Sequence, residues 1–226
     1  MELSKNALHK IKKSQMGINH VKKLYEPIAD EVQRSIFGAG YKYAFDADGN
    51  VVGKTWIDSE NDMITANNHD LQLNGSIGLD FSNTLMPLSG ATFMGDWVNS
   101  GVLEFLANNT SVEWAYCYKN GEDGGFLTTS NQPHSVALPP PADFNQYGYD
   151  SVIHNHGQYF APNSGYSLHQ IKEYTHSPSD EDIENLSQYG FTSAKIYSEM
   201  EDETYDYDSN TRTQQTIASG YGWELQ

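Results

Sequence analysis

Two histidines, His154 and His156, lie on either side of Asn155 in the run DSVIHNH, and Gly157 follows them. Side chains two positions apart on a β-strand point to the same face of a sheet. If this run is a strand, both imidazoles lie on one face at its carboxyl end. Two imidazoles placed in this way can bind one zinc ion, at nitrogen–zinc distances of about 2.0–2.1 Å. The doublet therefore predicts two ligands of a metal site.

A catalytic zinc site has three protein ligands and an open position for water. Asp182 is the predicted third ligand, because it lies in the first turn of a helix predicted for SPSDEDIENLSQYG. Ser179 is the predicted N-cap of this helix, and Asp182 occupies the capping-box position. His169 and His176 lie between the doublet and this helix, and they are the alternative third ligands.

The order of these residues resembles the JAB/MPN/JAMM metalloprotease superfamily. Its signature is a Glu, then His-x-His at the end of a strand, then Ser-x-x-Asp at the start of a helix. The resemblance is strongest to the bacterial branch, which includes RadC-like proteins and JAB-like toxin domains. It extends over residues 95–198, and the matching residues are His154, Asn155, His156, Pro178, Ser179, Asp182 and Ile183.

The resemblance implies a role for Glu113, because the Glu of the superfamily opens a strand that follows a helix, and Glu113 has that setting. It would act as the general base, taking a proton from the attacking water and giving it to the leaving amine. Ser179 would stabilise the oxyanion that develops on the substrate. Zinc would lower the pKa of its bound water toward about 7 and polarise the amide carbonyl. Glu104 and Glu122 are the alternative bases.

The chain departs from the superfamily pattern at two places. Gly157 stands where a proline usually follows the second histidine. The stretch between His156 and Asp182 is also longer than in the superfamily, and it contains QYFAPNSGYSLHQIKEYTHS. An insertion there would lie beside the metal, where a lid or a substrate loop is expected.

The remaining patterns predict an α/β fold of the α+β type, and the resemblance implies a JAMM-like mixed β-sheet flanked by helices. Residues 95–226 are predicted to form this metallohydrolase domain. A helix near residues 95–106 is expected to begin at the N-cap Asp96. Strands are expected in VEWAYCYKNGEDGGFLTTS, around a Gly-rich turn, and in FTSAKIYS, as the last strand. The loops are predicted to be PHSVALPPPADF, because of its prolines, and EMEDETYDYDSNTRTQQ, as an exposed excursion.

Residues 1–94 are predicted to form an N-terminal extension of helices, a β-hairpin and loops. Residues 1–37 have apolar residues at helical spacing. The run YKYAFDADGNVVGKTWI predicts a hairpin around Asp48-Gly49-Asn50. The same run is similar to one fragment of the Tyr-Asp repeats of bacterial polymorphic toxins, at whose C-termini JAB-like domains occur.

Composition narrows the classes of function. The chain has 226 residues and a formal net charge of −17, and such a surface repels the phosphate backbone of nucleic acids. No window approaches the roughly 18 apolar residues of a membrane helix. The N-terminal run MELSKNALHKIKKSQMG has lysines but no apolar segment, so it does not predict a secretory signal. Cys117 is the single cysteine, which excludes an intrachain disulfide and a cysteine-based zinc site.

These patterns and the resemblance lead us to expect a zinc-dependent peptidase or isopeptidase that acts on proteins, ubiquitin-like or other isopeptide-linked proteins among them. The resemblance to toxin domains implies an effector domain of a larger secreted bacterial protein, delivered into a target cell and opposed by a cognate immunity protein. A free-standing chain would be cytoplasmic. One alternative is a JAMM-like binding module without activity. The others are a His-Asn-His-type metal nuclease and a Cys-His hydrolase that uses Cys117 with His154.

Overall fold

The computed structural model describes residues 40–75, 91–95, 98–156 and 167–220, which form two mixed β-sheets and several helices. This arrangement agrees with the predicted α+β class. The strands are β1 Gly40–Phe45, β2 Val51–Ile57, β3 Met63–Ala66, β4 His69–Gln72, β5 Ala91–Gly95, β6 Ala115–Tyr118, β7 Gly125–Thr129, β8 Ser151–Asn155, β9 Ser193–Ser198 and β10 Glu203–Tyr207. The helices are α1 Ser100–Asn109, α2 Pro141–Phe144, α3 Leu168–Thr175, α4 Asp180–Tyr189 and α5 Gln214–Gly220, with a 3-10 turn at Asn145–Tyr147.

The larger sheet has the strand order β10-β9-β8-β6-β7-β5. Its strand β8, which contains the first histidine of the doublet, lies between β6, which is antiparallel to it, and β9, which is parallel to it. All five residues of β8 are buried. The predicted strand at DSVIHNH is therefore confirmed, and it is an interior strand of the sheet.

The smaller sheet has the order β2-β1-β3-β4. Strands β1 and β2 are antiparallel, which confirms the predicted hairpin. Gly49 in its turn has φ +75°, and a Cβ there would lie 3.0 Å from side-chain atoms of both Val112 and Trp114. Glycine is therefore required at this turn by its backbone conformation and by the close approach of the chain before β6.

Each face of the larger sheet has its own hydrophobic cluster. One face packs against the smaller sheet and α1, and the other packs against α2 and α4. Residues 40–75 thus contribute to the core of the domain predicted for residues 95–226. The predicted boundary between residues 94 and 95 falls inside β5, which pairs with β7. The helices predicted in residues 1–37 lie outside the described residues.

The predicted start of the first helix is wrong. Helix α1 begins at Ser100, and its N-cap is Asn99, whose side-chain oxygen accepts a hydrogen bond from the Val102 N–H at 3.2 Å. The predicted N-cap Asp96 itself lies outside the described residues. Asn and Asp are about equally good N-caps, so capping preference by itself could not decide between two candidates three residues apart.

The region after β9 also differs from the prediction, because EMEDETYDYDSNTRTQQ is not an exposed excursion. It contains β10, which pairs antiparallel with β9, and Tyr207 at the end of β10 is buried. The acidic residues had suggested a loop, yet Glu203 and Asp206 are exposed along an edge strand where charge is tolerated. In the proline-rich run, Pro141 starts the short helix α2, since proline suits the first helical position.

None of the helices in the described residues is long and apolar enough to cross a lipid bilayer.

We predict that Leu103→Ala lowers the free energy of unfolding by about 2–5 kcal/mol, because Leu103 is fully buried in α1 and its loss leaves a cavity. Leu168→Ala is the matched control. Leu168 is 62% exposed, so its loss should change stability by less than about 0.5 kcal/mol. Urea denaturation followed by circular dichroism measures both, and equal effects of the two variants would contradict the packing described for α1.

Candidate metal centre

Three predicted ligands, His154, His156 and Asp182, come together at the carboxyl end of β8. The Nε2 atoms of the two histidines are 3.1 Å apart. Each of them lies 3.4 Å from an oxygen of the Asp182 carboxylate, His154 from Oδ1 and His156 from Oδ2. The structure therefore confirms that these residues can bind one metal ion together.

These spacings are short enough for one metal ion to lie between the donor atoms. Ion-paired N–H···O bonds are usually about 2.7–2.9 Å long, and the two imidazole–carboxylate distances are 3.4 Å. Ligands bound at about 2.0–2.1 Å in a tetrahedron lie about 3.3 Å from one another. The Nε2–Nε2 distance of 3.1 Å is close to that value, and the two 3.4 Å distances run to different oxygens of the Asp182 carboxylate. A donor set of two imidazoles and a carboxylate is also one that zinc uses in hydrolytic sites.

The candidate ligand His154 and its neighbour Asn155 lie on opposite faces of the larger sheet. His154 pairs with Ala115 in the β6–β8 ladder, on the face that α4 covers. The side chain of Asn155 lies on the opposite face, where its oxygen accepts from the Trp114 N–H at 2.7 Å and its nitrogen donates to the Glu199 carboxylate. Asn155 therefore ties β8 to the chain around Glu113 and to the end of β9.

The ring orientation of His156 suits a ligand. Its Nδ1 lies 3.1 Å from the carbonyl oxygen of Thr175, at the end of α3. A carbonyl oxygen can only accept, so in the tautomer with hydrogen on Nδ1 this contact is a hydrogen bond and the Nε2 lone pair is left for a metal. In the other tautomer Nδ1 would instead accept from the Gln214 amide. Gln214 on α5 lies against the same ring, with its Nε2 3.0 Å from Nδ1.

Asp182 is held by the predicted capping box of α4. Its Oδ2 accepts from both the N–H and the hydroxyl of Ser179, each at 2.7 Å, and its own N–H donates to the Ser179 hydroxyl oxygen at 3.1 Å. Ser179 thus lies directly beside the third ligand. Its predicted role in oxyanion stabilisation stays a prediction.

The three candidate ligands shift one another's pKa values, so that a single proton is favoured between the two histidines. Burial opposes a charge on His154, but the nearby carboxylates of Asp182 and Glu113 outweigh it and raise the pKa of His154. Burial, together with repulsion from His154, lowers the pKa of His156. Burial also opposes charge on Asp182, yet the two histidines hold the pKa of its carboxyl far below the usual range. In the metal-free site a proton on His154 therefore competes with a metal cation.

Glu113 lies within electrostatic range of this group of ligands. Its side chain is 8% exposed, and it interacts electrostatically with His154 and Asp182. Burial above all, then the negative charges around it, raises the pKa of Glu113 to about 8 against the attraction of His154. A carboxyl group whose pKa lies near neutrality can both take up and release a proton there, as a general base must.

The alternative third ligands lie apart from the metal centre. His176 contacts the carboxylate of Glu201 through Nδ1 at 3.2 Å and stacks on Tyr205. His169 is exposed on α3. Neither belongs to a group of potential ligands among the residues that the structure describes.

The alternative catalytic groups have other surroundings. Burial and the charge of Asp202 raise the pKa of Glu104, and Glu122 is paired with Lys119 in the turn between β6 and β7. Cys117 is fully buried, and burial raises the pKa of its thiol, which opposes formation of a nucleophilic thiolate.

Two residues near the site, Glu199 and Tyr207, were not predicted from the sequence. Glu199 follows β9 directly, and burial raises its pKa to about 7 although Asn155 donates to it. The ring of Tyr207 is nearly perpendicular to that of His154, with 5.9 Å between ring centroids. The alternation of Tyr with acidic residues in TYDYD was the available signal for Tyr207. Glu199 had no such signal, because its position beside β8 depends on the parallel pairing of β8 and β9.

A small cavity of about 30 Å³ adjoins His154 and Asp182. Its other walls are mostly apolar: Ala115, Val136, Leu138, Val152, Asn185, Phe191 and Tyr207. A volume of this size admits a water molecule. The ligands are therefore not fully enclosed by protein, and this is a requirement for a hydrolytic site.

Comparison of the chain with protein-family models, with curated proteins and with solved structures found no match. The metal centre is therefore inferred from its donor atoms, their spacing and their surroundings.

We predict that the zinc affinity rises with pH. The pKa of His154 is raised above its usual value near 6.5, so a proton competes with zinc up to and beyond that pH. Below the raised pKa, affinity should increase about tenfold per pH unit if one proton is displaced, and then it should level off. Competition with a chromophoric chelator measures the dissociation constant.

The control for this prediction is His154→Ala, which should bind zinc much more weakly and lose most of the pH dependence. An affinity of the wild-type chain that does not change between about pH 6 and 8 would contradict the shared proton.

Proposed function

We propose that this protein is a zinc-dependent peptidase or isopeptidase of the JAB/JAMM type. The observation that carries the proposal is the convergence of His154, His156 and Asp182: the two Nε2 atoms are 3.1 Å apart, and each lies 3.4 Å from an oxygen of the carboxylate. Glu113, a buried carboxyl group with a pKa near neutrality, lies within electrostatic range of these residues. The order Glu, His-x-His, Ser-x-x-Asp along the chain supports the assignment to that superfamily.

In the proposed reaction the protein supplies the proton transfer and the orientation. Zinc, when bound by His154, His156 and Asp182, supplies the positive charge that acidifies water and polarises an amide carbonyl. The same charge favours the ionised form of Glu113, whose pKa is about 8 without it. Glu113 then takes a proton from the attacking water and gives it to the leaving amine.

In the proposed reaction Ser179 serves the substrate and still holds Asp182. The Asp182 carboxylate accepts from both the N–H and the hydroxyl of Ser179. If the hydroxyl rotates toward a substrate oxygen, the backbone N–H still orients the ligand. The hydroxyl could therefore stabilise a developing oxyanion at the cost of one hydrogen bond.

The alternative chemistries have less support. In a His-Asn-His nuclease the three residues are dispersed over a ββα finger, but here Asn155 is buried and hydrogen-bonds the backbone of Trp114. The net charge of −17 also opposes binding of nucleic acid. A Cys-His hydrolase would need a thiolate, which the buried Cys117 disfavours.

We predict that Glu113→Gln keeps zinc but lowers peptidase activity by about 10² or more, because the amide cannot accept the proton. Zinc content is measured by elemental analysis. Activity is measured by mass spectrometry on a peptide library and on isopeptide-linked protein conjugates. Glu122→Gln is the matched control, since it removes the same charge from an exposed turn and should leave both quantities unchanged. Loss of zinc from Glu113→Gln would make Glu113 a ligand and not the base.

We propose further that the peptidase is an effector or toxin domain of a larger secreted bacterial protein, acting on proteins in a target cell and opposed by a cognate immunity protein. Its support is the resemblance to JAB-like toxin domains and to one Tyr-Asp repeat fragment. The acidic surface also favours a protein substrate over a nucleic acid.

We predict that expression of the chain inside bacterial or eukaryotic cells inhibits growth, and that His156→Ala abolishes the inhibition because it removes a ligand. New protein fragments should appear in the wild-type lysate and be absent from the variant. Equal growth of both strains would favour the binding-module alternative. Inhibition accompanied by cleaved nucleic acid would favour the nuclease.

A further inference from the structure

Helix α3 lies in the stretch that separates the histidine doublet from Asp182, and its C-terminus contacts the metal centre. Thr175 is the last residue of α3, and its carbonyl oxygen lies 3.1 Å from Nδ1 of His156. The last four carbonyls of a helix have no partner within the helix, and that end of the helix carries partial negative charge. The Thr175 carbonyl is therefore available to hold a hydrogen on Nδ1.

The carboxylate of Glu201 anchors this end of α3. Glu201 lies in the turn between β9 and β10, where its Oε1 accepts from Lys172 Nζ at 2.8 Å. Its Oε2 accepts from the Tyr205 hydroxyl at 2.7 Å and lies 3.2 Å from Nδ1 of His176. Lys172 and His176 flank Thr175 in the chain, so a single carboxylate holds the helix end on both sides of the carbonyl that contacts the metal centre.

Charge and packing support this anchor. Hydrogen bonds from Lys172 and Tyr205 lead the causes that lower the pKa of Glu201 to about 2, so its carboxylate is charged at neutral pH. The His176 ring stacks on the Tyr205 ring, with 4.2 Å between centroids and 23° between planes. Side chains of α3 and of β10 thus meet around Glu201.

We propose that Glu201 is a positioning residue for the metal centre, an inference that rests on the proposed zinc function of His156. Glu201 holds the end of α3, the Thr175 carbonyl holds the hydrogen on Nδ1 of His156, and the Nε2 lone pair is thereby kept for the metal. Outer partners of this kind set the orientation and tautomer of a histidine ligand. The stretch between the doublet and Asp182 is then part of the metal site's support.

The test compares the full chain with Glu201→Ala and with Glu184→Ala. Glu184 is exposed on α4, so its variant removes the same charge without touching α3. The first measurement is the zinc dissociation constant by chelator competition. The second is the tautomer of His156 in the chelated protein, read from long-range ¹H–¹⁵N spectra of the imidazole rings. This second measurement needs neither metal nor substrate.

We expect Glu201→Ala to raise the zinc dissociation constant roughly tenfold and to give His156 a mixture of tautomers. Glu184→Ala should match the wild-type chain in both measurements. Two milder variants keep the test valid if Glu201→Ala does not fold. Glu201→Gln retains one acceptor oxygen, and Tyr205→Phe removes one donor while keeping the ring, so both should show smaller effects in the same direction.

The outcomes separate this inference from the proposed function. Zinc binding by wild type and Glu201→Ala with equal affinity and the same tautomer would overturn the positioning role and leave the zinc function intact. A wild-type chain that shows the Nδ1–H tautomer, loses it in Glu201→Ala and yet binds no zinc would overturn the zinc function and leave the role of Glu201 in place. A wild-type chain with hydrogen on Nε2 of His156 would overturn the inference at its first step.

Discussion

Three lone-pair donors face one another across 3.1 to 3.4 Å in a largely buried site, and much of the surrounding structure serves to keep them there. Such an arrangement is unfavourable unless a cation or a proton lies between the donors, because burial removes the water that would screen them. Interior strand β8 supplies one donor, the residue that follows its end supplies the second, and the capped first turn of α4 supplies the third. Both are rigid parts of the fold, as a preorganised metal site requires.

Asn155, between the two histidines, has a structural role. Asn155 is fully buried, and its amide joins β8 to the backbone at Trp114 and to Glu199. The alternation of a strand therefore divides three consecutive residues between two functions, with ligands on one face and a structural link on the other. Because that link includes the neighbour of Glu113, the candidate base and the candidate ligands are held relative to each other.

Much of the secondary structure could be predicted from local patterns. The hairpin of β1 and β2, strands β6 to β9 and helix α4 follow from periodicity, turn residues and a capping box. The errors occurred where local signals were equivalent or misleading. Asn99 and Asp96 are both suitable N-caps, and the acidic run that holds β10 resembles a loop in composition although Tyr207 is buried in the core.

The sequence by itself indicated the three candidate ligands. The His-x-His spacing puts two imidazoles on one face of a strand, and the capping box puts Asp182 at the start of a helix. These are local consequences of backbone geometry. Only the tertiary structure decided which groups lie nearby: the Thr175 carbonyl and the Tyr207 ring contact the histidines, and Glu199 contacts Asn155 on the opposite face of the sheet. Contacts between segments distant in the chain depend on how the whole core packs, and no short pattern encodes them.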